Sequence, residues 1–302
     1  MKTSKLRGVV VPMVTPVTSA GNLDEPAAER LIDYLIAGGV DGIFVLGTTG
    51  EGASVRRADR RRLVELTVGR VRRRALVYAG TGDCHSNGVA SGNECLRAGA
   101  DVIVSRLPIS HPAEDILPWF QKLLDQSEGP LVIYNMPMTT KVSVPLSVLE
   151  ELMGHPCLAG IKDSENDQAR LEELVRRYGG RADFSIFIGV GAWMKKGLKL
   201  GAAGIVPSVG NLIPGVCRQL CLASAGANWG AAEDCQSRMS AVSALYQKGR
   251  TLEESLAVLK AAMACRGLCA PHVLPPLKPL TKAQLQKLRT EMERLHVLNG
   301  ES

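Results

Sequence analysis

Eight short apolar runs, each followed by an amphipathic stretch, constrain the fold of this chain more than any other feature of its sequence. Each run is nearly continuous in Val, Ile and Leu, as expected for parallel strands that are covered on both faces. Eight strands with helices between them predict an α/β fold, a closed (β/α)8 TIM barrel rather than an open doubly wound sheet. The runs are Gly8–Val17, Gly42–Gly47, Ala75–Gly80, Asp101–Leu107, Pro130–Met136, Leu158–Asp163, Phe184–Val190 and Ala203–Val209.

The strand pattern stops near residue 228 of the 302. The sequence therefore predicts a catalytic barrel over residues 1–228 and a small C-terminal helical subdomain over residues 229–302. Turn signals at Gly249 and across Pro271–Pro279 separate the helices of this subdomain, and the last helix is predicted from Thr281 to about Val297.

Helix boundaries can also be read inside the barrel. Asp167 is predicted to cap a helix that ends at Gly179, because a carboxylate can accept from the first amides of a helix and glycine commonly follows its last turn. Ser143 is predicted to cap the helix that begins near Leu146.

The net charge is +6, from 36 Lys and Arg against 30 Asp and Glu. Many of the arginines lie between residues 56 and 74, with no aromatic residues among them, so this segment is expected to be a solvated outer helix and not a nucleic-acid interface. No apolar run approaches the length that spans a bilayer. The N-terminal run is broken by Pro12 and Pro16 and is expected to be a strand, which favours a cytoplasmic location without a membrane partner.

The chain has eight cysteines without a C-x2-C pair. Zinc would need four convergent ligands, so we expect these side chains to be buried as small apolar residues, without a metal or disulfides. The spacing of Cys217 with Cys221, and of Cys265 with Cys269, predicts that each pair shares one helix face.

The chemistry of a barrel lies at the C-terminal ends of its strands, and Lys162 occupies such a position in an apolar strand. Burial disfavours the ammonium form of a lysine, so the neutral amine can attack a ketone and form a Schiff base. The alternative is a lysine that reaches the rim and pairs with an acid. Tyr134 ends the preceding strand, where a phenol could move protons beside the lysine. The loop 47–50 offers the hydroxyls of Thr48 and Thr49, with backbone amides, to a carboxylate.

Five motifs in order make the sequence similar to the dihydrodipicolinate synthase / N-acetylneuraminate lyase family of class I pyruvate-dependent aldolases, over nearly the whole chain. The motifs are Val11–Pro16, Gly47–Glu51, Tyr134–Pro137, Gly160–Asp163 and Pro275–Leu280.

This resemblance implies that Lys162 is the Schiff-base lysine and that Tyr134 donates and accepts protons. It also implies that Thr48 and Thr49 hold the carboxylate of the keto acid and that the backbone at Val206 touches it. By the same resemblance, the protein needs no metal or organic cofactor and forms a homotetramer built as a dimer of dimers.

Two departures bear on the substrate. Lysine-biosynthesis members of the family carry an arginine five residues after the tyrosine, where this chain has Thr139. They also carry a Pro-Tyr-Tyr stretch that segment 105–111 lacks. The sequence therefore favours a lyase or aldolase acting on pyruvate or a 2-keto-3-deoxy acid, by aldol cleavage or condensation or by dehydration. The alternatives are dihydrodipicolinate synthase itself, with aspartate semialdehyde as second substrate, and a non-catalytic barrel that binds a keto acid.

Further polar residues at predicted strand ends are candidates for contacts with the rest of the substrate. Hydroxyls of a sugar acid could be bound after the lysine and after the last strand, and a second carboxylate could be bound after the fourth. The candidates are Ser164, Glu165, Asn166, Ser208 and Asn211 for hydroxyls, and Arg106 and His111 for a carboxylate.

Overall fold

The structure is a computed structural model that describes residues 5–81 and 88–298. Eight parallel strands follow one another in chain order around a closed barrel, and β8 pairs with β1. This confirms the predicted (β/α)8 fold. The strands are β1 (Gly8–Pro12), β2 (Gly42–Val45), β3 (Leu76–Gly80), β4 (Val102–Arg106), β5 (Leu131–Asn135), β6 (Leu158–Asp163), β7 (Ser185–Ile188) and β8 (Gly204–Ile205).

Helices lie between the strands and continue beyond β8. Among the described residues they are α1 (Glu25–Ala37), α2 (Arg57–Val71), α3 (Gly88–Arg97), α4 (Ile116–Asp125), α5 (Pro137–Thr140), α6 (Leu146–Leu152), α7 (Gln168–Tyr178), α8 (Met194–Leu200), α9 (Pro214–Ala225), α10 (Trp229–Gln247), α11 (Leu252–Cys265) and α12 (Lys282–Arg294). The last three helices form the part of the chain predicted as a subdomain, and the division at residue 228 stays a prediction.

Two buried clusters divide the strand side chains by their alternation. One cluster fills the barrel and contains Val10, Phe44, Tyr78, Val104 and Phe187 with their neighbours. The other lies between the strands and the surrounding helices. Because successive residues of a strand point to opposite faces, every second residue of each strand faces the interior.

The first and last strands of the barrel are shorter than the apolar runs from which they were predicted. β1 ends at Pro12. Two residues later, the amide of Val14 donates to the side chain of Asn211 at 3.1 Å. β8 has only two residues, although the amide of Val206 still donates to the carbonyl of Ile188 at 2.9 Å. Apolar runs here continue past the ladder into the loops that close the barrel.

The predicted helix caps are partly correct. Asp167 caps α7 by accepting from the amide of Arg170 at 3.1 Å. The last helix starts after Thr281, as predicted, but α12 ends at Arg294 and not near Val297. The prediction for Ser143 is wrong, because α6 begins after Pro145 and the Ser143 hydroxyl instead donates to Glu165 at 2.5 Å.

The arginine-rich segment is helix α2, as predicted, on the outside of the barrel. Several of its guanidinium groups are exposed and pair with carboxylates of α1, α2 and α3, as in Arg62–Glu25, Arg61–Glu65 and Arg57–Glu94. Arg60 is half-buried instead and donates to the carbonyls of Gly52 at 2.8 Å and Gly80 at 3.3 Å. No helix within the two described ranges is both long and apolar enough to cross a membrane.

No two of the described cysteines form a disulfide with each other, and Cys84 lies outside the described residues. Cys95, Cys217 and Cys269 are buried, and burial raises the pKa of Cys269 to about 11. The predicted helical pairing of Cys265 with Cys269 is wrong, since α11 ends at Cys265.

Candidate active site

Lys162 lies near the C-terminal end of β6 with its side chain inside the barrel and only 6% of the residue exposed. Its amine is 3.9 Å from the centroid of the Tyr134 ring and 5.2 Å from that of Phe44. The strand register pairs Tyr134 with Lys162 directly. The structure therefore brings together the two residues that were predicted to be neighbours.

The Tyr134 hydroxyl is surrounded by polar groups although the residue is buried. Burial alone would raise the pKa of Tyr134, but the charge of Lys162 and hydrogen bonds from Thr48, Lys162 and Ser164 outweigh it, so the pKa lies below the usual value. A phenol stabilised as phenolate in this way is suited to exchanging protons with a substrate bound to the lysine.

The loop after β2 holds Thr48 beside this pair. It begins at Leu46, whose φ of +60° is unusual for a residue with a side chain. Gly52 and Gly80 make this turn possible, because the Leu46 carbonyl oxygen leaves no room for a side chain at either position. A Cβ added to Gly52 would lie 1.9 Å from this oxygen, and one added to Gly80 would lie 2.3 Å from it. The carbonyl of Thr48 accepts from the amide of Glu51 at 3.1 Å, and Thr49 follows, half-buried, in the same turn.

A cavity of about 720 Å³ opens at this end of the barrel. Thr48, Tyr134, Thr139 and Arg106 line it, together with the N-terminal part of α11 and residues 276–277. The Thr139 hydroxyl donates to the carbonyl of Met136 at 3.1 Å. The volume is in the range of sites for small organic ligands.

The residues predicted around β8 are divided between two places. Val206 is buried in the same interior cluster as Tyr134. Ser208 lies elsewhere: its hydroxyl is 2.8 Å from that of Tyr246, and it lines a separate cavity of about 320 Å³ against α10. Asn211 is buried and donates to the carbonyls of Pro12 and Ser208, both at 2.9 Å, so it ties β1 to the end of the barrel.

The polar residues after Lys162 have different surroundings. Ser164 contacts the Tyr134 hydroxyl. Glu165 accepts from Asn135 at 2.9 Å and lies 3.2 Å from the Arg170 guanidinium, so its carboxylate is held within the structure. The side chain of Asn166 accepts from the indole N–H of Trp193 at 2.7 Å on the exposed side.

Of the two candidates for a second carboxylate site, the structure places one at the cavity. Arg106 is the last residue of β4 and lines the cavity wall. Burial lowers the pKa of Arg106, and its proximity to Tyr134 acts in the opposite direction. His111 packs against Trp119, with ring centroids 5.1 Å apart.

A buried ion pair that was not predicted from the sequence supports the loop after β2. Lys260 Nζ in α11 is 2.6 Å from Glu51 Oε1, and the second carboxylate oxygen accepts from the amide of Leu274 at 2.6 Å. The available signal was a lysine inside the apolar stretch 257–263. Within the described ranges, no three His, Cys, Asp or Glu side chains are grouped so that they could hold a metal ion.

A lysine and an ionisable tyrosine at the C-terminal strand ends of a (β/α)8 barrel place the protein in the class of barrel enzymes that work at this rim. The chain belongs to the dihydrodipicolinate synthetase family, whose model matches residues 5–295. It is an enzyme of that family, whose named members are lyases, synthases and aldolases.

Curated relatives and solved structures agree with this assignment. A 4-hydroxy-tetrahydrodipicolinate synthase of Thiobacillus denitrificans is 30% identical over 98% of this chain and 99% of its own length. The Escherichia coli protein YagE, described as a putative 2-dehydro-3-deoxy-D-gluconate aldolase, is 27% identical over 95% of this chain and 96% of its own length. The solved structure of YagE with pyruvate covers 97% of this chain and 99% of its own, with a TM-score of 0.90 at 27% identity.

Proposed function

We propose that the protein forms a Schiff base between Lys162 and the keto group of pyruvate or of a 2-keto-3-deoxy acid. The observation that carries this proposal is the Lys162 amine, buried 3.9 Å from the centroid of the Tyr134 ring at the strand ends. The crystal structure of YagE in complex with pyruvate supports pyruvate as the keto acid. The imine serves as electron sink, so the reaction needs no metal or organic cofactor.

The reaction starts when the Lys162 amine adds to carbon 2 of the keto acid and water leaves, which gives a protonated imine. In cleavage, a base takes the proton of the hydroxyl on carbon 4, the bond between carbons 3 and 4 breaks, and its electron pair moves to the imine nitrogen. Carbon 4 leaves as an aldehyde. The enamine then takes a proton at carbon 3, and water releases pyruvate from the lysine.

Tyr134 is the group proposed to move these protons. Its lowered pKa and its hydrogen bonds to Thr48 and Ser164 support this role. Thr48 and Thr49 are proposed to hold the carboxylate next to the keto group, and the Val206 backbone to contact the same substrate. Thr139 is proposed to contact the rest of the substrate from the wall of the same cavity. The predicted contact of Ser208 is not proposed, because Ser208 lies in the separate cavity against α10. Dehydration would use the same imine: carbon 3 loses a proton, and the enamine expels the hydroxyl of carbon 4 as water.

A coupled assay tests the reaction. Purified protein is incubated with 2-keto-3-deoxygluconate, and pyruvate is followed by its reduction with lactate dehydrogenase. Wild-type protein is expected to release pyruvate, and Lys162→Met to release none while keeping the wild-type circular dichroism spectrum. Activity retained in Lys162→Met would contradict the proposal.

Dihydrodipicolinate synthase activity is the second candidate, and the 30% identity to the Thiobacillus denitrificans synthase favours it. Thr139 counts against it, because a threonine cannot form the paired, charge-assisted hydrogen bonds that a guanidinium forms with a carboxylate. The test is condensation of pyruvate with L-aspartate semialdehyde. A kcat/KM at least as high as with sugar-acid substrates would make this the preferred function. Keto-acid binding without turnover in either assay would support a non-catalytic barrel.

The assembly is proposed to be a homotetramer, a dimer of dimers, in the cytoplasm. Ile109 and Met138 line the cavity and are 51% and 61% exposed, which supports cover by another subunit. The absence of disulfides among the described cysteines supports a reducing compartment. Light scattering coupled to size exclusion tests the assembly, and a monomer at working concentration would contradict it.

A further inference from the structure

The reacting pair, Lys162 and Tyr134, is followed on each strand by a polar residue. Asp163 follows the lysine, Asn135 follows the tyrosine, and the strand register pairs the two. The isoleucine two residues before each of them belongs to the buried cluster between the strands and the surrounding helices. Because side chains alternate along a strand, Asp163 and Asn135 lie on the opposite side of the sheet from the reacting pair.

The side chain of Asn135 joins the two strand ends to each other. It is completely buried. Its amide nitrogen donates to Asp163 Oδ2 at 3.1 Å and to Glu165 Oε2 at 2.9 Å. Its amide oxygen accepts from the backbone N–H of Val144 at 3.0 Å. One uncharged side chain therefore connects the end of β5 with the end of β6, with the loop after β6 and with the segment before α6.

Arg170 in α7 holds the same two carboxylates from the helix layer. Its Nε donates to Asp163 Oδ2 at 2.8 Å and lies 3.2 Å from Glu165 Oε2. The side chains of Arg170 and Asp163 are only 11% and 6% exposed. The Asp163 carboxylate also accepts from the backbone N–H of Glu165 at 3.0 Å. These side chains form one largely buried network, which we call the β6 network: Asn135, Asp163, Glu165 and Arg170.

The β6 network is a costly way to attach a helix to a sheet. Burial removes water from charged groups, and replacing a buried group of charges with apolar side chains is often neutral or stabilising. Here the cost is visible, because Arg170 Nη2 is buried and no residue within the described ranges accepts from it. Hydrogen bonds between such groups allow few arrangements, since each donor must meet a particular acceptor. A network of this kind suits a strand end that must keep one orientation.

The β6 network is connected to the reacting pair through Ser164. This residue follows Asp163 directly, and its backbone N–H donates to the carbonyl of Asn135 at 2.9 Å. Its hydroxyl contacts the Tyr134 hydroxyl. Gly189 packs against the serine side chain, because a Cβ added to Gly189 would lie 1.9 Å from Ser164 Oγ. A shift of the β6 end would therefore move the lysine and the serine hydroxyl away from the phenol together.

We propose that Asn135 and Arg170 are positioning residues for the reaction. By holding the two carboxylates, they keep the ends of β5 and β6 together and thereby fix the lysine amine and the serine hydroxyl against the phenol. Neither Asn135 nor Arg170 lines the cavity, so neither is assigned a contact with the substrate. This inference rests on the proposed function, because it assumes that the reacting pair acts on the substrate.

Arg170→Met is the first test. Its kcat for pyruvate release from 2-keto-3-deoxygluconate is expected to fall roughly 10- to 100-fold, because a misplacement of about 1 Å is enough for such a loss. Its KM is expected to change far less, since the loop after β2, proposed to hold the carboxylate, lies outside the β6 network. Arg170→Lys should recover part of kcat, because the charge returns without the planar set of donors. A wild-type kcat in Arg170→Met, or a rise in KM alone, would overturn the proposal.

Arg176→Met is the matched control on the same helix. Arg176 is exposed and donates to Glu173 at 2.7 Å, outside the β6 network. Because this pair lies in solvent and touches neither strand end, wild-type kcat and KM are expected. A loss of kcat in Arg176→Met equal to that in Arg170→Met would mean that any guanidinium of α7 has this effect, which would overturn the assignment.

The phenolate of Tyr134 reports the geometry without any substrate. Hydrogen bonds from Lys162 and Ser164 help to lower the pKa of Tyr134, so a loss of their alignment should raise its midpoint in the ultraviolet difference spectrum. Each variant is compared with the same variant carrying Tyr134→Phe. Arg170→Lys and Asn135→Ala leave the charge of the β6 network unchanged, so a rise in either of them reports a change of geometry. A rise confined to Arg170→Met would mean that the guanidinium acts by its charge, and this result or the absence of any rise would overturn the proposal.

Labelling of Lys162 with pyruvate and borohydride separates this proposal from the one on which it rests. Adduct formation in wild-type protein, together with an unchanged kcat and an unchanged Tyr134 midpoint in Arg170→Met, would refute the role of the β6 network alone. Absence of the adduct in wild-type protein would refute the Schiff-base function itself.

Discussion

Lys260 Nζ lies 2.6 Å from Glu51 Oε1, and the two side chains are 1% and 3% exposed. The contact is an ion pair rather than a well-aligned hydrogen bond. It joins the loop that carries Thr48 and Thr49 to helix α11, more than 200 residues away in the sequence. The C-terminal helices thereby help to fix one side of the candidate active site.

We predict that Glu51→Gln destabilises the protein by about 3 kcal/mol or more, because it leaves the Lys260 charge buried without its partner. Urea denaturation followed by circular dichroism measures the change. Glu65→Gln is the control, because it removes the exposed partner of Arg61 and is expected to cost less than about 1 kcal/mol. Equal stability of the two variants would contradict a structural role for the buried pair.

Tyr134→Phe is predicted to lower kcat by roughly 100- to 10 000-fold, because the variant keeps the ring but loses the group that transfers protons. Pyruvate release from a 2-keto-3-deoxy acid measures the effect. Tyr178→Phe is the control: its hydroxyl donates to the carbonyl of Leu146 at 3.4 Å, away from the site. A Tyr134→Phe enzyme with wild-type kcat would remove tyrosine from the mechanism.

The ionisation of Tyr134 gives a prediction about pH. Its pKa is lowered from the usual value near 10, so its phenolate should form at lower pH than that of an ordinary tyrosine. The difference in ultraviolet absorbance between wild type and Tyr134→Phe, recorded against pH, should therefore have its midpoint below 10. Burial raises the pKa of Tyr246 to about 12, so the same experiment with Tyr246→Phe should give a midpoint well above 10.

Lys162→Met should move the Tyr134 midpoint upward, because it removes the nearby positive charge and leaves the effect of burial less opposed. The measurement compares Lys162→Met with a Lys162→Met/Tyr134→Phe double variant. An unchanged midpoint would mean that Lys162 does not act on the tyrosine.

The barrel and the Lys162–Tyr134 pair could be predicted because both follow from local patterns in the sequence. Each strand is an apolar run, and residues 28 apart at the ends of consecutive runs become neighbours once the sheet is parallel. The length of β8 could not be predicted, because its apolar run continues through Val206 and Val209. These two residues lie after the strand and are as buried as the strand itself, so the apolar pattern does not mark where β8 ends.

Contacts between residues that are far apart in the sequence could not be predicted from local sequence patterns. The partner of Lys260 lies in another element, and no local pattern specifies which carboxylate it meets. Ser143 shows the same limit. Serine is a common helix-capping residue, but the Ser143 hydroxyl donates to Glu165, which follows β6, and does not cap α6.

The most direct test of the central claim is the mass of the intact protein after incubation with pyruvate and borohydride, followed by peptide mapping. The account predicts one reduced pyruvate adduct on Lys162 that is absent in Lys162→Met. The adduct should persist in the control Lys141→Met, which removes an exposed amine that donates to the carbonyl of Met138 at 2.9 Å. No adduct under conditions that label a known class I aldolase, or an adduct that persists in Lys162→Met, would contradict it.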